Sequence, residues 1–136
     1  MTGVQTCALP ISDNAITVAP GANLCLHSHH LPDLTGFSYL LMQLEIELST
    51  VAAFAHAAKA KGIKVVLNAA PAQPLPAELL AEVDVLIVNE GELAALVPHP
   101  MSIVTNLAQM AVPCVVVTLG HQIGRASCRE RVSSPV

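Results

Sequence analysis

The sequence predicts a layered α/β fold with a mostly parallel sheet, and three observations lead to that prediction. Short apolar runs of strand length alternate along the chain with stretches of helical periodicity. The runs are continuous, without polar alternation, which is typical of parallel strands buried on both faces. Hydrophobic residues make up 53% of the chain and charged residues 12%, a composition suited to a large buried core. Right-handed helical crossovers between such strands give a Rossmann-like unit.

Five apolar runs are predicted to be strands, and the stretches between them to be helices or loops. The strands cover residues 15–20, 39–45, 64–69, 84–89 and 113–120. The longest helix is predicted after the second strand, with Ser49 or Thr50 as its N-cap and Gly62 just past its end. Its apolar residues at helical spacing are Leu48, Val51, Ala52, Ala55 and Ala58. Further helices are predicted over residues 76–81, 90–97 and 101–110.

The two ends of the chain differ from its middle. Every arginine lies within "GRASCRERV" (residues 124–132), whereas the preceding residues carry only Lys59, Lys61 and Lys64 as basic groups. A basic surface tail is one interpretation of this contrast.

A second interpretation accounts for both ends together. Residues 3–11 and 123–132 equal the translations of the two partner strings of a widely used sequencing adapter. We therefore expect residues 1–12 to be adapter-derived and non-native, and residues 122–136 to be largely so. The native sequence, a partial domain, is then expected to occupy residues 13–121.

Composition argues against several classes of function. The formal net charge is −4 with no basic stripe, so nucleic-acid binding is not expected. The uncharged stretch 93–124 is interrupted by prolines and polar residues, so no membrane span is expected. The N-terminus lacks the positive region of a secretory signal, which favours a cytoplasmic location.

Cysteine and histidine give only weak signals. The four cysteines lie far apart with no CxxC pair, so unlinked thiols are expected rather than a zinc knuckle or a disulfide framework. "HSHH" brings His27, His29 and His30 together, but no carboxylate or thiolate partner follows at the spacing typical of a metal site. We interpret this segment as a solvated loop.

Polar side chains follow the predicted strands at their carboxyl ends. They are Glu45, Asn68, the pair Asn89 and Glu92, and Thr118 with Gly120. Ligands of open parallel sheets bind beyond that edge. The sequence therefore predicts a site there, next to the proline-rich segment 68–76, which should form a stiff loop.

The segment "NEGE" has two interpretations. Asn89 and Glu92 can face one cavity, where the carboxylate oxygen would suit Mg²⁺. Alternatively, Asn89 is simply an N-cap, and Glu90 and Glu92 favour the helix dipole. Both interpretations can hold together.

Four segments together resemble the PfkB-type carbohydrate kinase family, and within it the ribokinases. They are "VAPGAN" (18–23), "LLMQLEIEL" (40–48), "VVLNAAPAQPLPAELLAEVDVLIVNEGE" (65–92) and "VVVTLG" (115–120). They occur in the order and spacing of that family, and the long central segment is the specific one. The resemblance implies a ribokinase-like fold and ATP-dependent phosphorylation of the primary hydroxyl of a sugar, with ribose favoured.

The resemblance also implies roles for particular residues. Glu45 matches a sugar-contacting carboxylate. Asn89 and Glu92 match an N-x-x-E motif that acts at the phosphates and, through water, on Mg²⁺. Thr118 and Gly120 match the start of a nucleotide-binding loop. The resemblance thus implies ATP as co-substrate and Mg²⁺ as cofactor, with a monovalent cation and a homodimer for the full-length enzymes.

The chain departs from that family pattern in several places. Ala69 and Gly91 replace a common proline and threonine, and "CLHSHH" replaces the usual residues after "GAN". Nothing in the sequence matches the Gly-rich "GAGD"-type motif that supplies the catalytic aspartate. No catalytic residue is therefore assigned, and the chain as written is not expected to be a competent kinase. Two alternatives stay open: a non-catalytic nucleotide-binding α/β module, or part of a related phosphosugar or nucleoside kinase.

Overall fold

A computed structural model describes the backbone of residues 5–8, 14–17, 19–97, 99–119 and 122–128, and the side chains of 19–97 and 99–119. The strands are β1 (Gln5–Ala8), β2 (Asn14–Thr17), β3 (Tyr39–Met42), β4 (Lys64–Asn68), β5 (Val85–Asn89), β6 (Cys114–Leu119) and β7 (Gln122–Cys128). The α-helices are α1 (Leu48–Ala60), α2 (Ala77–Glu82), α3 (Glu90–Leu96) and α4 (Ile103–Gln109). Two short 3₁₀ helices, Gly21–Cys25 and Ser28–His30, precede β3.

The main sheet has five strands in the order β3-β4-β5-β6-β7. The first four are parallel and β7 is antiparallel to β6. Only two residues separate β6 from β7, and so short a connection permits only an antiparallel hairpin. The prediction of a layered α/β fold with a mostly parallel sheet is confirmed.

The strand predicted over residues 15–20 does not belong to that sheet. Its counterpart, β2, pairs antiparallel with β1 in a separate two-stranded sheet. A parallel neighbour would need a crossover of a dozen or more residues, whereas β1 and β2 are joined by five. The prediction of a parallel strand here was wrong for that reason.

The helices cover one face of the parallel sheet. Each step from β3 to β6 moves one strand in the same direction, and right-handed crossovers therefore place the connecting helices on the same side. Six strand residues on the helical side are at most 3% exposed: Val65, Leu67, Leu86, Val88, Val115 and Val117. Their neighbours along the strands, including Val66, Ile87 and Val116, are half-buried. Burial on both faces, predicted from the continuous apolar runs, was therefore wrong for the residues described.

Helix α1 begins differently from the prediction. Its N-cap position is Glu47, which makes no capping hydrogen bond through its side chain. Thr50, one of the two predicted caps, lies inside the helix, and its hydroxyl donates to the Leu26 carbonyl at 3.0 Å. This contact spans 24 residues, so helix-start statistics could not predict it. Gly62 follows the helix with φ of 73°, as predicted.

An ion-pair cluster closes the amino-terminal edge of the sheet. The Asp84 carboxylate, just before β5, accepts hydrogen bonds from Lys59 Nζ at 3.0 Å, from Lys64 Nζ at 3.1 Å and from the Val65 N–H at 2.9 Å. Burial alone would raise the pKa of Asp84, but these donors together hold its pKa below the ordinary value. The cluster ties α1 and β4 to β5.

The two cysteines within the side chains described, Cys25 and Cys114, differ in their bonding. Cys25 is a free, exposed thiol, whereas Cys114 is disulfide-bonded, which corrects the expectation that all cysteines are unlinked. Cys114 lies on β6, whose antiparallel pairing with β7 the sequence analysis did not predict.

Within the part of the chain that the structure describes, no helix is long and apolar enough to cross a membrane.

Candidate functional site

The carboxyl-terminal edge of the parallel sheet carries Asn68, Asn89 and Thr118, three of the polar residues predicted to lie there. Asn89 ends β5 and pairs in register with Thr118 of β6, so the two residues are direct neighbours. Thr118 Oγ1 donates to the Val88 carbonyl at 3.4 Å. Asn68 ends β4, in register with Ile87. The site is therefore a row of strand ends rather than a cluster on one loop.

A cavity of about 360 Å³ opens at the same edge. It is lined by Leu41, Met42, Gln43, Asn68 and Ile87. Its volume lies in the range usual for small-molecule sites, and an apolar wall with a few amides can orient a polar ligand. Gln43 and the apolar lining were missed by the sequence analysis. The strand alternation that makes Leu41 and Ile87 face away from the helices is the signal that could have identified them.

The loop after β4 packs beside this cavity. The Leu44 N–H donates to the Ala70 carbonyl at 3.0 Å, and Gln73 Nε2 donates to the Leu44 carbonyl at 3.4 Å. These bonds connect the loop predicted over residues 68–76 to the segment that follows β3. That segment also carries Glu45, whose side chain is exposed and makes no hydrogen bond with other residues that the structure describes. Glu45 is not among the residues that line the cavity.

Asn89 and Glu92 form a reciprocal capping box at the start of α3. Asn89 Oδ1 accepts from the Glu92 N–H at 2.8 Å, and the Asn89 N–H donates to Glu92 Oε2 at 2.7 Å. The residue Glu92 is only 8% exposed. Both side chains therefore have a structural role, as the capping interpretation expects.

The capping box leaves part of the Glu92 carboxylate available. Oε2 is engaged by Asn89, while Oε1 makes no hydrogen bond with other residues in the described ranges. Within the same ranges, no buried side-chain oxygen or nitrogen lacks a hydrogen-bond partner. Mg²⁺ commonly uses one or two carboxylates and keeps several waters. Glu92 therefore fits a water-mediated magnesium contact.

The remaining predicted residue, Gly120, lies outside the described residues. The structure thus brings Asn89, Glu92 and Thr118 together at adjacent strand ends. It places Glu45 apart from them, in the loop after β3. The roles of these residues stay predictions.

Replacing Gly91 with Ala is expected to raise the free energy of unfolding by about 0.5–1 kcal/mol. Gly91 lies in the first turn of α3, and an added Cβ would meet Asn89 Oδ1 at 3.4 Å, an ordinary van der Waals contact. The substitution removes backbone freedom from the unfolded chain without straining the capping box. Urea unfolding followed by circular dichroism measures the change. A loss of stability would show that the turn cannot accept a side chain.

Comparison with known proteins identifies the family. The sequence profile of the pfkB family carbohydrate kinases matches residues 8–123. The chain therefore belongs to the pfkB family of carbohydrate kinases.

Particular relatives are ribokinases. A ribokinase from Haemophilus influenzae is 45% identical over 85 residues, which cover 60% of this chain and 28% of the relative. A ribokinase from Staphylococcus aureus is 31% identical over 120 residues, 80% of this chain and 40% of the relative. The structure of Arabidopsis thaliana ribokinase complexed with ribose and ATP is similar with a TM-score of 0.73 and 27% identity, over 86% of this chain and 42% of that one. The chain thus spans less than half the length of these relatives.

Proposed function

We propose that this chain is part of an ATP-dependent sugar kinase whose favoured substrate is ribose, giving ribose 5-phosphate and ADP. The observation that carries the proposal is the row of strand ends where Asn89 lies in register with Thr118 and is hydrogen-bonded to Glu92. A cavity of about 360 Å³ opens at Asn68 and Ile87 of the neighbouring strand ends. The ribokinases among its relatives, and the similarity to a ribokinase complexed with ribose and ATP, support the choice of substrates.

The proposed roles follow from the chemistry of the side chains. The Asn89 side-chain amide can donate hydrogen bonds to phosphate oxygens, and the Thr118 hydroxyl can do so when its proton turns away from the Val88 carbonyl, which lies at 3.4 Å. Glu92, through Oε1, would position water around Mg²⁺. When bound, Mg²⁺ would offset negative charge on the phosphates. Glu45 would accept hydrogen bonds from sugar hydroxyls, and Gly120 would let the nucleotide approach the backbone closely.

We expect the 136-residue chain by itself to bind nucleotide without transferring phosphate. Its sequence has no counterpart of the Gly-rich motif with the catalytic aspartate. Loss of a general base typically lowers a rate by about 10²–10⁴, and loss of an anion-stabilising donor by about 10²–10³.

Mg²⁺ and ATP together are expected to raise the Tm of the chain by roughly 10 °C at nucleotide concentrations near 100 Kd. The reason is that a ligand which binds only the folded state stabilises it. Differential scanning fluorimetry with and without Mg²⁺ measures the shift. Glu92→Gln is the informative variant, because glutamine keeps the capping box but removes the charge.

The expected result for Glu92→Gln is a near-normal Tm without ligand and a smaller gain from Mg²⁺. An unchanged Tm of the original chain with Mg²⁺ and ATP would contradict nucleotide binding. Ribose 5-phosphate formed from ribose and ATP by the chain alone would contradict the expectation of binding without catalysis.

A further inference from the structure

Two side-chain amides line the cavity at the carboxyl-terminal edge of the sheet, and neither has a role in the function proposed above. Met42 of β3 pairs in register with Leu67 of β4, so the next residues along, Gln43 and Asn68, are neighbours. Asn68 is half-buried, yet neither amide has a hydrogen-bond partner among the residues described. Leaving such a group unpaired beside apolar walls costs free energy. The two amides therefore favour a ligand that can form hydrogen bonds with them.

The charges around the cavity narrow the class of ligand. No charged side chain among the described residues lines it, and its other walls are Leu41, Met42 and Ile87. The described lysines lie at the carboxyl end of α1 and at the start of β4, toward the opposite edge of the sheet. A phosphate group inside the cavity would lose water without gaining a cation. A neutral ligand rich in hydroxyl groups satisfies the amides without that cost.

Asn68 shares one face of the sheet with Asn89. Each follows a strand residue that is buried beneath the helices, Leu67 and Val88, and successive side chains point to opposite faces. Because Asn68 is in register with Ile87, Asn89 lies on the neighbouring strand two residues farther along. The spacing of residues along and across strands then separates the two asparagines by about 8 Å. One sugar ring with its substituents can bridge such a distance.

We infer that Gln43 and Asn68 are specificity-determining residues, which hydrogen-bond the hydroxyl groups of an uncharged sugar and direct its primary hydroxyl toward Asn89. An amide both donates and accepts, as sugar hydroxyls do. The inference rests on the proposed kinase function. It adds the orientation of the sugar, and it excludes a sugar that already carries phosphate at the end facing Asn68.

Titration of the isotope-labelled chain with D-ribose, followed by NMR, tests these contacts. The side-chain NH₂ resonances of Gln43 and Asn68 are expected to shift as ribose binds. Asn68→Leu should weaken ribose binding about tenfold, the usual effect of losing one hydrogen bond. Its Tm without ligand should not fall, because no hydrogen bond within the described residues is lost. The matched control is Gln109→Leu, which removes an amide on α4 and should leave ribose binding unchanged.

Ribose 1-phosphate tests the orientation and the exclusion of charge. Its primary hydroxyl is free, but its phosphate would lie against the amides of Gln43 and Asn68. We expect it to bind about tenfold more weakly than ribose, or not at all, because the cavity offers its charge no cation.

Three results would overturn the inference. They are unchanged ribose affinity in both Asn68→Leu and Gln43→Leu, equal binding of ribose 1-phosphate and ribose, and no binding of ribose to the original chain. Gln43 is exposed, so Gln43→Leu decides the matter if Asn68→Leu does not fold. A Tm that rises with Mg²⁺ and ATP in a chain that does not bind ribose would refute the sugar contacts alone. No response to either ligand would refute the proposed function as well.

Discussion

Replacing Asp84 with Asn is expected to lower the free energy of unfolding by about 2 kcal/mol. The Asp84 side chain is only 14% exposed and accepts from two lysine ammonium groups and one backbone N–H. Asparagine has the same shape and retains one acceptor, but it loses the charge that Lys59 and Lys64 face. Hydrogen bonds to charged groups contribute more than neutral ones, so the loss should be easily measured by urea unfolding.

The Asp84 carboxylate should also make the free energy of unfolding fall as the pH is lowered. The pKa of Asp84 is lowered in the folded state, whereas an unfolded aspartate titrates near 3.9. Its contribution is therefore complete above about pH 4 and is lost as the pH falls through the lower, folded pKa. The difference in stability between the original chain and Asp84→Asn should shrink as the pH falls below 4.

Asp33→Asn provides the matched control. The Asp33 carboxylate accepts from Thr35 and Lys61, and these hydrogen bonds lower its pKa to about 2, but its side chain is 74% exposed. Solvent screens such a pair, so we expect a much smaller loss of stability than for Asp84→Asn. Equal losses in the two variants would contradict the importance of burial at Asp84.

Replacing Glu92 with Ala is also expected to cost about 2 kcal/mol of folding free energy. The substitution leaves the Asn89 N–H without its acceptor at the start of α3. It also removes a buried side chain, since Glu92 as a residue is 8% exposed. Glu92→Gln should cost less than about 1 kcal/mol, because glutamine can occupy the same position of a capping box. Thermal and urea unfolding of the two variants give the comparison.

Glu90→Ala separates the capping contact from a general effect of acidic residues. Glu90 lies in the same first turn of α3 but is exposed, so its loss removes only a favourable interaction with the helix dipole. We expect a change of about 0.3–1 kcal/mol. If Glu90→Ala cost as much as Glu92→Ala, the reciprocal bond with Asn89 would not be the reason for the larger effect.

Local patterns predicted the elements that carry the candidate site. The continuous apolar runs located β3 to β6, and one interpretation of "NEGE" made Asn89 the N-cap of α3, as the structure shows. The return bond from the Asn89 N–H to Glu92 was not predicted. Parallel pairing then followed from the alternation of strands and helices. These features depend on residues close in sequence or on strand order, which simple physical rules constrain well.

Features that depend on distant contacts could not be predicted in this way. Thr50 bonds to Leu26, and Asp84 joins Lys59 and Lys64, in each case across about two dozen residues. The separate hairpin of β1 and β2 and the cavity beside Asn68 likewise depend on how segments meet in space. The limits of the native domain and the role of Glu45 stay predictions from the sequence.

In the part of the chain that the structure describes, the helices lie on one face of the parallel sheet, and the other face affects how the chain behaves in solution. Tyr39 and Leu41 on strand β3 are 66% and 68% exposed, and apolar residues of β4 to β6 on the same side are only half-buried. Contiguous apolar surface of this kind increases the tendency of proteins to associate. The unfolding free energies predicted above therefore apply at low protein concentration. An unfolding midpoint that changes with protein concentration would show that the chains associate as well as fold.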